Sequence, residues 1–217
     1  MPPLLVRRCT QLLIGLFLYG FSLAMMIRAT LGVTPWDVLG LGAALRTGIP
    51  FGVMTNIIGI VVLLLWIPLR QRPGIGTVLN VLLVGPSAEV GLALLGEPDA
   101  LWARVLLFSG GLLLLAVATG LYLGAQFGPG PRDGLMTGLH RRTGLPVWVV
   151  RTAIEGTVLL VGWLLGGPVG VGTVAAALLI GPLVNVTLPL LHLGPHPERV
   201  SPRRAPGRGR RPPAPAG

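Results

Sequence analysis

Two aspartates, Asp37 and Asp133, sit in one local pattern, Gly-x-x-Pro-x-Asp-x-Leu-x-x-Gly followed by Arg-Thr-Gly, at a spacing of 96 residues. In apolar surroundings a carboxylate can hold a cation, carry a proton or share general acid–base work with a second carboxylate. The pattern has a local reading as well. Proline at the first helical position with aspartate two residues later stabilises a helix start by about 0.3–1 kcal/mol. Both readings stand at this level. Glu89 is a third candidate, one turn beyond Gly85-Pro86, with Asn185 at the same 96-residue spacing. It reads either as a proton or cation site or as a carboxyl near the membrane surface. Arg151 and Glu155 are four apart, hence on one helix face and opposite in sign, which suits an intrahelical ion pair or a pathway charge pair.

Enzyme chemistry lacks its usual marks. The glycine-rich stretch 128–138 has no Gly-Lys-Ser/Thr to grip phosphate and magnesium, and His140, His192 and His196 lack zinc-ligand spacing. An intramembrane aspartyl protease would need Asp37 and Asp133 in contact. No catalytic residue, metal or cofactor is expected.

The two aspartates belong to a longer repeat. Residues 32–86 align with 128–182 without a gap, and 23 of the 55 pairs are identical. Gly32, Pro35, Asp37 and Gly42 meet Gly128, Pro131, Asp133 and Gly138. Gly-x-Gly-Thr-Val at 74–78 meets 170–174, and Gly85-Pro86 meets Gly181-Pro182. Shared leucine-rich composition would scatter identities, whereas these keep register through glycine, proline and aspartate, the mark of a duplicated unit.

Composition sets the solvent for that unit. Apolar residues make up 52% of the 217 residues and charged ones 11%, with mean hydropathy +0.78, too apolar for a water-exposed surface. Long uncharged runs at 9–27, 47–69, 105–131 and 157–197 point to membrane spans, which need about 18 or more such residues. The expected fold is an all-α polytopic membrane protein with six spans, at 10–27, 50–68, 75–95, 103–125, 146–165 and 171–193. The third and sixth are expected to be interrupted at Gly85-Pro86 and Gly181-Pro182, where the freed carbonyl must find another donor.

Arginine sets the orientation, because the chain has no lysine. With a cytoplasmic N-terminus, the inner side holds Arg7, Arg8, Arg70, Arg72, Arg132, Arg141, Arg142 and six tail arginines; the outer side holds Arg28, Arg46 and Arg104. That asymmetry follows the positive-inside rule. Both termini are expected in the cytoplasm, with residues 1–9 as the N-terminal segment and 196–217 as a disordered basic tail that meets anionic headgroups. The first span resembles a secretory signal, but its repeat equivalent lies mid-chain, which favours retention. Cys9 is alone, so there is no disulfide framework. The tail interleaves no aromatic residue for base stacking, and no nucleic acid is expected.

Three spans per repeat is an odd number, so the second copy, 103–195, is expected to run inverted relative to the first, 10–98. Segment 32–48 then lies at the outer side and 128–144 at the inner side. Each carries a short half-helix, 35–46 and 131–142, with Thr34 as the first N-cap. Lying on the bilayer and dipping into it are both open; dipping would bring Asp37 and Asp133 toward one central cavity.

At these motifs the chain resembles the YczE/YitT-type bacterial integral membrane proteins. The resemblance rests on 32–37 (GVTPWD), 66–78 (WIPLRQRPGIGTV) and 128–136 (GPGPRDGLM), with the return of Gly-x-Gly-Thr-Val at 170–174. It implies a bacterial inner-membrane protein of several spans. Inverted repeats, proline-broken helices and half-helices favour a small-solute or ion permease; a non-transporting scaffold that positions a partner protein is the alternative. Bilayer lipid, an unidentified small solute or ion and a second copy of the chain are the expected partners.

Overall fold

The computed structural model describes residues 2–191. The expected basic tail, with His192 and His196, lies outside the described residues. Those described form an all-α fold of eight helices: α1 (Pro2–Ala29), α2 (Pro35–Thr47), α3 (Phe51–Trp66), α4 (Ile75–Leu94), α5 (Leu101–Gly124), α6 (Pro131–Thr143), α7 (Val147–Leu164) and α8 (Val171–Leu191). Five are long and apolar enough to cross a membrane, and there are six if α2 with α3, bent by 115° at their junction, is counted as one broken span. Helices are the expected solution here, since each satisfies its own backbone away from water. The six expected spans fall on α1, α3, α4, α5, α7 and α8, and the two half-helices on α2 and α6.

The helix of the first span reaches back to Pro2, with Leu4, Leu5 and Val6 exposed on it, and its apolar stretch runs over Leu4–Ala29. One expectation is corrected: the third and sixth spans are not interrupted, because α4 and α8 run through Pro86 and Pro182. Pro86 leaves the Leu82 carbonyl without its helical donor, and the Asn56 side-chain amide of α3 reaches that oxygen at 3.5 Å, a long contact. Ser87 meanwhile donates to Leu83 O at 2.7 Å.

α1 and α5 form the central pair. Glycines let them approach: a Cβ on Gly15 would lie 2.9 Å from Leu121 Cβ, and one on Gly111 would lie 3.0 Å from Met25 Cβ. These two glycines are themselves 96 residues apart. Around them Leu12, Leu16, Leu23, Phe108, Leu112 and Leu115 build the main core. α4 packs on α1 and α8 on α5. Gly120 and Gly124 of α5, a spacing expected by chance at this glycine content, face Thr187 and Leu191 of α8, and Thr187 Oγ1 donates to Ala116 O at 2.8 Å. The half-helices cross over: α2 packs on α7, and α6 on α3.

Backbone conformation follows the same spacing. The described residues with left-handed φ are Thr30, Gly32, Gly48 and Arg70, and then Gln126, Gly128, Gly144 and Gly166, each 96 residues after its counterpart. Gly48 and Gly144 end α2 and α6 in left-handed C-caps. Gly32 (φ 113°) and Gly128 (φ 118°) turn the chain from a long helix into a half-helix, in a region open essentially to glycine. Each turn is pinned on the other half: Gly172 N donates to Leu31 O at 2.8 Å, and Gly76 N to Phe127 O at 2.9 Å. The repeated Gly-x-Gly-Thr-Val element is therefore a backbone clasp. Its threonines, Thr77 and Thr173, accept from Gly74 N and Gly170 N and cap α4 and α8.

A Cβ at Gly32 would meet left-handed strain and also Thr173 Oγ1 at 2.7 Å, whereas one at Gly48 meets nothing within 4 Å. Gly32→Ala is predicted to cost about 3 kcal/mol or more, and Gly48→Ala about 1 kcal/mol, in thermal or denaturant unfolding of the purified chain. Equal losses would contradict the clasp.

Candidate functional site

α2 has its first turn buried and its last turn exposed, whereas α6 buries Pro131 and Gly134 but leaves Asp133 exposed at its start. Proline at the first position suits both starts, since that N–H has no helical partner. The two starts converge. Arg132, at the second position of α6, lies 3.6 Å from Asp37 Oδ1 of α2, and its guanidinium stands 5.0 Å over the Trp36 ring. Trp66 Nε1 of α3 holds the α6 start in place through Pro131 O at 3.0 Å. This draws the Arg132 side chain, counted among the inner-side arginines, partly into the protein at 23% exposure.

At this meeting point lies a cavity of about 250 Å³, lined by α1, α3, α4, α5, α7 and α8 as well as the half-helix starts. Four of the six candidate residues line it: Asp133, Arg151, Glu155 and Asn185. Asp133 accepts a hydrogen bond of 2.9 Å from the Tyr122 hydroxyl, and Tyr19 meets the Tyr122 ring edge-on with centroids 5.9 Å apart. Arg151 Nε donates to Glu155 Oε1 at 2.9 Å, so the intrahelical pair forms and faces the cavity as well.

Asp37 sits behind the wall. Its side chain is 2% exposed, the Thr34 hydroxyl donates to its carboxylate, and Arg132 connects it to the cavity. Thr34 thus stands at the N-cap position but spends its hydroxyl on Asp37 instead of on a backbone amide. Oδ1 of Asp37 lacks a hydrogen-bond partner, so Arg132 compensates it by charge. Glu89 lies elsewhere: it accepts from Gly52 N at 2.6 Å and caps the start of α3, and it does not line the cavity.

Of the motif residues, Pro35, Pro131 and Gly181 line the cavity, and Gly32 and Gly128 make the turns that deliver the half-helices to it. Gly85 and Pro86 lie on α4, and Pro182 on α8. Charge counting missed Arg132, and Tyr19 carries no sequence signal of its own. The cavity and its wall hold three acids, Asp37, Asp133 and Glu155, and two arginines, Arg132 and Arg151. Two helix N-termini add about half a positive charge each, which brings the whole close to neutral with its charges separated. Such a site suits a small molecule bearing both signs of charge.

Removing one member of a buried pair costs about 3–5 kcal/mol, because the other is left uncompensated. Arg132→Gln is predicted to lower unfolding stability within that range, and adding Asp37→Asn should restore most of it. Additive losses in this double-mutant cycle would show that the pair is not coupled.

A model described as a family of unknown function (DUF6198) matches residues 6–189. An uncharacterized protein of Haemophilus influenzae is 40% identical over 185 residues, 85% of each chain. The uncharacterized membrane protein YczE of Bacillus subtilis is 33% identical over 187 residues, 85% of this chain and 87% of that one. The uncharacterized protein YyaS of the same organism is 24% identical over 182 residues, 82% and 90% of the two chains. No solved structure matches. The family match runs from the first turns of α1 to near the end of α8 and so covers the helices that build the cavity, and the chain belongs to the DUF6198 family as a membrane protein of the YczE type.

Proposed function

We propose that the chain is a small permease of the bacterial inner membrane, in which the cavity takes a small zwitterionic or cationic solute and passes it between the two faces. One observation carries this reading: two half-helix starts converge on a charged cavity of about 250 Å³ within an apolar helix bundle. Liquid water at about 30 Å³ per molecule gives its scale, roughly eight waters or a solute of comparable bulk. An ionisable side chain at the middle of a bilayer costs about 3 kcal/mol on insertion scales, so five of them gathered around one hollow favour a functional role over a structural one.

The two halves run in opposite senses through the bilayer in this reading, with both termini in the cytoplasm. The clasps at Gly32 and Gly128, each on the other half's last helix, support that arrangement. So does the arginine asymmetry, which survives the withdrawal of Arg132 into the protein.

Uptake of radiolabelled small zwitterions and cations by proteoliposomes is the test. Asp133→Asn with Arg132→Gln is predicted to cut uptake by about tenfold or more, while Glu89→Gln leaves it near wild type. A panel with no uptake above protein-free vesicles would sink the permease reading. For orientation, Thr47→Cys and Thr143→Cys, each in a Cys9→Ser background, are predicted to react with a membrane-impermeant thiol reagent from opposite sides; labelling of both from one side would overturn the inversion.

A further inference from the structure

Beside the charged cavity lies a second hollow of contrary character. An apolar groove of about 510 Å³ opens between α3 and α7 over the half-helices α2 and α6. Trp36, Ile58 and Val62 line both hollows, so one layer of side chains separates a charged pocket from an apolar one. Trp36 is 6% exposed, its Nε1 has no hydrogen-bond partner, and its ring carries the Arg132 guanidinium on the cavity side. A buried indole donor left unmatched in that shared wall is a place for a polar atom of a ligand that spans it.

The groove is built from positions 96 residues apart that stay apolar in both copies, among them Leu39 with Leu135, Ile58 with Ile154, and Val62 with Val158. The cavity does the opposite: Trp36 stands against Arg132, Thr55 against Arg151, and Gly59 against Glu155. α7 lies along the outside of the bundle, only 11% buried, and forms one wall of the groove. The adjoining hollows match a molecule with a small charged end and an apolar end.

We propose that the solute is a single-tailed amphiphile with a small zwitterionic head. The head occupies the cavity, its carboxylate on Arg132 and its ammonium by Asp133 and the Tyr19 and Tyr122 rings; the tail lies in the groove, and the molecule reaches the site sideways from the bilayer. This rests on the permease reading and names its substrate class.

The probe is N-dodecyl-N,N-dimethylglycine in proteoliposomes, its transbilayer movement read by cyclodextrin back-extraction, beside uptake of N,N,N-trimethylglycine, the same head without a tail. The wild-type chain is expected to move the dodecyl compound about tenfold faster than protein-free vesicles do, and Arg132→Gln to remove most of that gain. Ala153→Trp and Thr157→Trp fill the groove from exposed positions of α7 and are each expected to slow it about fivefold or more while unfolding stability stays near wild type. Uptake of trimethylglycine with no movement of the dodecyl compound would overturn the amphiphile and leave the permease standing. Movement of neither would remove both. Unchanged dodecyl movement in both tryptophan variants would overturn the groove as the seat of the tail.

Discussion

The structure hangs on a reciprocal backbone clasp. Leu31 and Phe127, each one residue before a left-handed glycine, give their carbonyls to Gly172 and Gly76 at the start of the other half's last helix. Because glycine alone takes those φ values without strain, the chain can reverse from a full-length helix into a half-helix within a few residues. Because the reversal is tied to the opposite half, α2 leans on α7 and α6 on α3. The half-helix starts then have one place to go, the interior between the halves. Neither half completes the arrangement alone, so the clasp couples folding of the whole to formation of the cavity.

What collects at that place is electrostatically costly and nearly self-balanced. Two helix N-termini attract negative charge, and each half supplies an aspartate in its first turn. The aspartates then diverge. Asp37 is sealed behind Thr34 and Arg132, while Asp133 faces the cavity and takes a hydrogen bond from Tyr122. A duplicated motif has thus become one charge that holds Arg132 and one that meets the hollow. The helix-start reading of the motif holds for both aspartates, since a first-turn carboxylate stabilises its own helix wherever that helix points.

The half-helices were legible because their signals are local: proline at the start, aspartate in the first turn and a left-handed glycine at the end. Expected at 35–46 and 131–142, they run Pro35–Thr47 and Pro131–Thr143. The breaks at Gly85-Pro86 and Gly181-Pro182 failed as local signals because a neighbouring helix can answer a freed carbonyl, as Asn56 does for Leu82. Charge counting assigned Arg132 a side of the membrane but could not see its partner Asp37, because it is the half-helix it begins that carries it there. Glu89 followed a rule about carboxylates in spans that does not see Gly52 N, the donor it meets across the helix interface. One signal for the cavity does lie in the repeat. Where Trp36, Thr55 and Gly59 change to Arg132, Arg151 and Glu155, neutrality is traded for charge, and all six positions line the hollow.

Convergence of the two half-helix starts is the claim on which site and function both depend. Its most direct test is proximity within a single chain. With Cys9→Ser as background, Trp36→Cys and Arg132→Cys are introduced together and treated with a short bis-thiol reagent in membranes. The account predicts an intramolecular bridge that shifts the migration of the monomer and leaves no free thiol. Two cysteines that each react singly but never bridge would contradict it.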